Sequence, residues 1–276
     1  MNIRSSYRLV IESRAGYAER LAALCEKLAS FRSEEAIDWQ SRIESWLRNI
    51  SGFADQEIAL GMLEKVRVVS HADEIKGCSA LLDELRKYVK AGATLYHLGH
   101  FTSGNLLTRI LEKKLKVNSS EILRPASFTR DGPIKPGDVI AMWDRFNGSG
   151  TQLKEQLDIY SKLLDQLGKK PQALRLAYLA GHPLREPLPT GVFLHRWITD
   201  IPTVTDNERD LCSRYLEASG GAAGGQRFET GALITFSDNI PNNVPHVLCA
   251  RETSTWAPLL DREGTRGSKR PTARKK

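Results

Sequence analysis

Long apolar runs are missing from this 276-residue sequence. None approaches the roughly 18 consecutive apolar residues that a membrane-spanning helix needs, so no membrane partner is expected. The opening MNIRSSYRLVIESR lacks a signal-peptide core and places an acid close behind a short apolar patch; the cytoplasm is the expected compartment. Paired cysteines are missing too. Cys25, Cys78, Cys212 and Cys249 stand far apart with no CxxC among them, which indicates neither a zinc site nor a disulfide framework. They read as reduced, partly buried thiols. His97, His100, His182, His195 and His246 show no metal-ligand spacing, so no metal site is expected. There is no internal repeat, and the common nucleotide fingerprints GxxxxGK[ST] and GxGxxG do not occur.

A charged folded body is also lacking. The formal net charge is +7, but residues 262–276 hold seven basic side chains against one acid. Removing that +6 leaves +1 on residues 1–261. Residues 261–276 form a basic tail with Gly, Ser, Thr and Pro and almost no apolar residue, the composition of a disordered segment. Such a tail either holds phosphates nonspecifically or is a solvated terminus without a partner.

What is present suffices for one large domain or two smaller ones. Residues 1–92 read as an α-helical N-terminal region of four segments. The first carries Tyr17, Leu21, Leu24, Leu28 and Phe31 at helical steps, and the second runs from Ser33 to Ile50. The third runs from Ala54 toward Val69, and the fourth from Asp73 to Lys90, with Gly92 in a C-cap position. Trp39 and Trp46, at helical spacing, read as packing residues. After Gly92 strands and helices alternate. Ala93–Leu98 is a strand candidate, Gly99–Gly104 a loop, and Asn105–Leu115 a helix. Gln172–Leu179 and Val192–Ile198 are further strands, and Thr205 with Glu208 forms a capping box opening a helix. Ala232–Phe236 is a last short strand. The alternation argues for a mostly parallel sheet covered on both faces, with ligands at the carboxyl ends of the strands.

The stretch Asp138–Leu167 concentrates the chemistry. An apolar strand, Val139–Trp143, feeds a loop, Asp144–Thr151, and then an amphipathic helix with Leu153, Leu157, Tyr160, Leu163, Leu164 and Leu167. Free N–H groups and the positive dipole end of a helix suit an anion in such a loop. Gly148 and Gly150 permit close backbone approach, and Ser149 and Thr151 add hydroxyl donors. Asp144 reads either as a ligand contact or as a loop acid that turns the chain. Ser149 and Thr151 either bind a ligand or cap the helix. Asn242 and Asn243 either close a site or make turns.

This stretch resembles the phosphoribosyl-pyrophosphate motif of type I phosphoribosyltransferases: four apolar residues, two acids, three variable positions, then Thr/Ser-Gly-x-Thr. Ile140-Ala141-Met142-Trp143 fill the apolar positions, Asp144 the first acid, Phe146-Asn147-Gly148 the variable three, and Ser149-Gly150 the Thr/Ser-Gly. Arg145 replaces the second acid, and Gln152 stands at the last Thr with Thr151 one place early. The segment GALITFSDNIPNNVPHVL, with Pro241-Asn242-Asn243 and Pro245, resembles divergent phosphoribosyltransferase-like effectors of bacterial conflict systems, of the retron-type antiphage kind.

The resemblance implies an α/β fold, a mostly parallel sheet of the type I phosphoribosyltransferase kind with an α-helical N-terminal region. The implied domains are residues 1–92 (helical), 93–260 (phosphoribosyltransferase-like) and 261–276 (basic tail). It implies that Gly148, Ser149, Gly150 and Thr151, with Asn147 beside them, hold a sugar phosphate, and that Asp144 addresses the ribose hydroxyls as the catalytic residue. Arg145 cannot accept from hydroxyls but can pair with a phosphate. Thr102, Ser103 and Gly104 fall at the pyrophosphate loop. Mg²⁺ would enter with the substrate phosphates. The implied partners are a ribosyl-phosphate or nucleotide ligand and a reverse transcriptase with its nucleic acid; a homo-oligomer is a further option that the sequence leaves open. Three readings follow: a phosphoribosyltransferase-like enzyme serving as a defence effector, a turnover-free nucleotide sensor, or a nucleic-acid-associated module.

Overall fold

The computed structural model describes residues 9–99, 101–124, 127–148, 151–184, 187–220, 231–238, 240–241, 244–249 and 256–260, without the side chains of 101, 102, 151 and 152. The expected basic tail therefore lies outside the described residues. In chain order the elements are α1 (Tyr17–Leu28), α2 (Trp39–Leu47), α3 (Phe53–Lys65), β1 (Arg67–Val69), α4 (His71–Arg86), β2 (Leu95–Gly99), α5 (Phe101–Lys113) and β3 (Ile122–Leu123). Then come β4 (Val139–Asn147), α6 (Thr151–Gln166), β5 (Ala173–Gly181), β6 (Val192–Ile198), α7 (Asp206–Arg214), β7 (Ile234–Phe236) and α8 (His246–Cys249).

The chain divides into two compact units, residues 71–201 and residues 1–70 with 202–276. This corrects the expected boundary at residue 92. The helix α4 belongs with the sheet, because Gly77 has no Cβ and so admits the side chains of Trp197 and Leu179. The C-terminal stretch belongs with the first three helices, because together they make one core: Trp46 donates its indole N–H to the carbonyl of Val247 at 2.7 Å, across 201 residues of sequence.

In the unit of residues 1–70 and 202–276, Asp38 caps α2 by accepting from the Ser41 amide at 3.0 Å. The expected capping box opens α7, with Glu208 accepting from the Thr205 amide at 2.7 Å. Trp39 and Trp46 are buried packing residues, as their spacing indicates. The third helix ends at Lys65 rather than near Val69. Val66, Val68 and Val69 are β-branched and favour extended backbone, and β1 pairs in parallel with β7 from the far end of the chain. Gln56 ties this unit together from inside. Its Oε1 accepts from the amides of Val10 (3.0 Å) and Ile11 (3.2 Å), and its Nε2 donates to the Ile50 carbonyl at 2.9 Å.

The unit of residues 71–201 is α/β with a five-stranded sheet in the order β3-β2-β4-β5-β6, every pair parallel. The fold class expected from the alternation is the one observed. Leu153, Leu157 and Leu164 of α6 pack on Tyr96, Leu98, Ile140, Met142, Leu174 and Leu176, which share one face of the sheet. The helices α4 and α5 pack on the other. The four cysteines are free thiols, three of them buried. No helix among the described residues is long and apolar enough to cross a membrane.

Replacing Gln56 by Leu keeps the volume but strands the Val10, Ile11 and Ile50 backbone groups. The expected loss is about 3 kcal/mol of unfolding free energy, measured by urea denaturation.

Candidate functional site

The site is organised by β4, the middle strand. Its apolar half begins at Val139 as expected, but the strand does not stop at Trp143. It continues through Asp144, Arg145, Phe146 and Asn147, which corrects the reading of residues 144–147 as loop. Polar side chains are tolerated in this buried strand because each meets a partner.

Asp144 is 8% exposed. Its Oδ1 accepts from the Ser103 hydroxyl and, at 2.7 Å, from the amide of Arg145. Burial pushes its pKa from 3.8 up to about 6; the Ser103 hydrogen bond, the Arg145 amide and the Arg145 charge act against that rise. Ser103 arrives from α5. Residues 102–104 are not a loop but the first turn of that helix. Gly104 does not break it; a Cβ there would collide with the Trp143 carbonyl oxygen, so glycine is what lets α5 lie against β4. The side chain of Thr102 lies outside the described residues.

Arg145 faces α4. Alternation along the strand turns it away from Asp144, and its guanidinium meets Glu74 of α4. Nε stands 2.6 Å from Oε1, and Nη2 donates to Oε2 at 3.1 Å. Both side chains are buried, and His71 stands 3.3 Å from the same carboxylate. The place of the second acid is thus taken by a residue held inside the unit. Asn147 is also structural. Its Nδ2 donates to the His182 carbonyl at 3.4 Å, and the His182 amide donates back to its carbonyl at 3.1 Å. Gly148 is half-buried just beyond the strand. Ser149, Gly150, Asn242, Asn243 and the side chain of Thr151 lie outside the described residues; Thr151 is the first residue of α6.

Other residues reach this end of the sheet without a signal in the sequence. Register aligns Asp144 with Tyr178 of β5, and Tyr178 with Arg196 of β6, so three strands contribute one cross-sheet row. Tyr178 is buried, and burial first and the Asp144 charge second push its phenol pKa up. Arg196 donates from Nη1 to the Gly181 carbonyl at 3.0 Å. The ring of His182 meets Phe146 edge-on at 6.1 Å, and burial, then the Arg196 charge, lower its pKa. The row offers a carboxylate poised to exchange a proton near neutral pH, a phenol and a guanidinium. That set can hold hydroxyls and an anion. Among the described residues no group of three His, Cys, Asp or Glu could hold a metal ion.

No protein-family model matches the chain, and no curated protein matches its sequence. Solved structures give fold likenesses over about half of it. A hypothetical protein from Neisseria gonorrhoeae with bound ppGpp is 14% identical at a TM-score of 0.32, over 49% of this chain and 84% of that one. A purine phosphoribosyltransferase from Pyrococcus horikoshii is 16% identical at 0.31, over 50% and 97%. The xanthine-guanine-hypoxanthine phosphoribosyltransferase of Helicobacter pylori is 18% identical at 0.34, over 53% and 96%.

Two outcomes are expected of variants here. Glu74→Gln removes the carboxylate bonded to a buried guanidinium and costs about 3–5 kcal/mol; Glu74→Gln with Arg145→Met recovers most of it, read from denaturant midpoints. Asp144 holds its proton more tightly folded than unfolded, so stability falls as pH rises from 3.8 to about 6. Asp144→Asn is therefore more stable than the wild type by up to about 3 kcal/mol near pH 7, and the gain vanishes near pH 3.

Proposed function

We propose that residues 71–201 form a phosphoribosyltransferase-like unit that binds a ribosyl phosphate at the carboxyl end of β4. Asp144 addresses the sugar ring, and the amides at the start of α6 receive the phosphate. The observation that carries this reading is Asp144 itself: a buried carboxylate at the carboxyl end of the middle strand, with its pKa pushed up to about 6 and a hydroxyl from α5 upon it. Cleavage at an anomeric carbon builds positive charge on the sugar, and a carboxylate held in a low-dielectric site stabilises that charge. The helix start beyond Gly148 supplies amides and a positive dipole end to a phosphate. Mg²⁺ would find most of its oxygen ligands on the substrate phosphates and water, as it does where one or two carboxylates serve it.

A second reading is a nucleotide-binding module without turnover. The Arg145–Glu74 pair favours it, because one carboxylate remains where the resembled motif has two. The wider setting of a defence effector beside a reverse transcriptase and its nucleic acid is carried by the sequence resemblance.

Calorimetric titration with phosphoribosyl pyrophosphate and Mg²⁺ separates these readings. The wild type is expected to bind, and Asp144→Asn to bind at least about tenfold more weakly, the scale of a lost charge-assisted hydrogen bond. Binding with release of pyrophosphate supports the enzyme, and binding without release the module. No binding by the wild type rejects both.

A further inference from the structure

A second polar cluster lies toward the amino ends of the strands, on the face that α4 covers. Arg175 of β5 is 7% exposed. Its Cζ lies 3.8 Å from the ring centroid of Tyr88, just past α4, and 4.6 Å from that of Phe193 on β6. The two rings clamp the guanidinium. Yet Tyr88 and Phe193 are themselves 44% and 47% exposed, two of only five large apolar side chains so exposed among the described residues.

The guanidinium is buried without an anion of its own. Nη1 lies 2.9 Å from His195 Nε2. A guanidinium can only donate, so Nε2 accepts, and the imidazole proton sits on Nδ1, 2.6 Å from Glu84 Oε1. Glu84 thus reaches Arg175 only through His195, at one remove. No carboxylate among the described residues pairs with Arg175, and its Nε is buried without a partner. Arg145, the other buried arginine on this face, has Glu74. A buried charge is ordinarily matched. Around Tyr88 the exposed turn carries Arg86, Lys87 and Lys90, of which Arg86 stands 3.6 Å from Asp83.

We propose that this cluster is a recognition site for a nucleoside phosphate. The base stacks on the outer face of Tyr88 or Phe193, and the phosphate lies against Arg175 and the basic turn. Exposed rings interleaved with cations are what a stacked base and its phosphate require. The chemistry is the same for a free nucleotide and for a nucleotide unit within a single strand. The site is separate from the Asp144 row, on the opposite face of the sheet, and does not depend on that row binding a ribosyl phosphate.

The test uses the full chain and fluorescence anisotropy with a labelled oligothymidylate of roughly a dozen nucleotides. Adenosine monophosphate serves as competitor, and inorganic polyphosphate as a charge-only probe that the basic tail also attracts. Tyr88→Leu and Phe193→Leu alter half-exposed rings, and unchanged thermal denaturation confirms their fold. Each is expected to weaken oligothymidylate binding roughly tenfold with polyphosphate binding and the salt slope unchanged, since stacking releases no counterions. Displacement by adenosine monophosphate, with the same dependence on the rings, assigns the site to free nucleotides. Ring-dependent binding of the oligonucleotide without such displacement assigns it to single strands. The proposal is overturned if neither probe binds, if both ring variants bind as the wild type does, or if polyphosphate binding falls in step with theirs.

Discussion

Arg145 and Glu74 hold each other inside the sheet unit, and that bond sets which way β4 faces. Side chains alternate along a strand, so an Arg145 drawn to α4 leaves Asp144 turned from it, toward Ser103 and the row shared with Tyr178 and Arg196. A slip of one residue would bring the Asp144 carboxylate to Glu74 and put a guanidinium in the row. Two buried carboxylates at contact repel strongly, so that register is disfavoured. A buried ion pair costs much of what it gains through desolvation. Fixing a register is the use for which it is best suited, and here the register decides which charge enters the row.

Close approach does the remaining positioning. Helix α5 follows β2 almost immediately, and its first turn lies on the β4 backbone because Gly104 has no Cβ to strike the Trp143 carbonyl. Gly99, at the end of β2, is as tight: a Cβ there would meet the backbone of Asn105. These two glycines bring Ser103 within reach of a carboxylate on the neighbouring strand. Both belong to the stretch that reads in the sequence as a loop. Glycine there serves packing instead of interrupting the helix.

That difference marks where the sequence was legible. Strands β2, β4, β5 and β6, the amphipathic helix α6 and the Thr205–Glu208 cap follow from local pattern, because their apolar or capping residues are neighbours in sequence. The carboxyl half of β4 was not legible. Asp144, Arg145 and Asn147 look like loop residues until Ser103, Glu74 and His182 are known to satisfy them, and those partners are 41, 71 and 35 residues away. The domain boundary failed for the same reason. Nothing local tells that Trp46 bonds Val247, or that β1 pairs with β7. Tyr178 and Arg196 could be placed on one face of their own strands by alternation, but joining them to Asp144 needs the register between strands, which no single segment encodes.

Parity along parallel strands also explains why two opposite charges persist on one sheet without cancelling. Asp144 lies level with Tyr178, whose side chain belongs to the face packed by α6. Arg175 lies three residues back along β5 and contacts Tyr88 on the α4 side. Three residues of strand are about 10 Å, and the thickness of the sheet is added to that. At an effective dielectric of about 20, unit charges 10 Å apart attract by under 2 kcal/mol, against about 4 at contact. Among the described residues Asp144 makes no ion pair: Arg145 is committed to Glu74, Arg175 is remote, and Arg196 lies two strands away and bonds the Gly181 carbonyl. Desolvation is then the dominant influence on it, which is why its pKa rises despite the neighbouring guanidinium. A carboxylate whose pKa is raised chiefly by burial costs the folded state stability as pH increases, and it is the state in which an approaching cationic centre gains most.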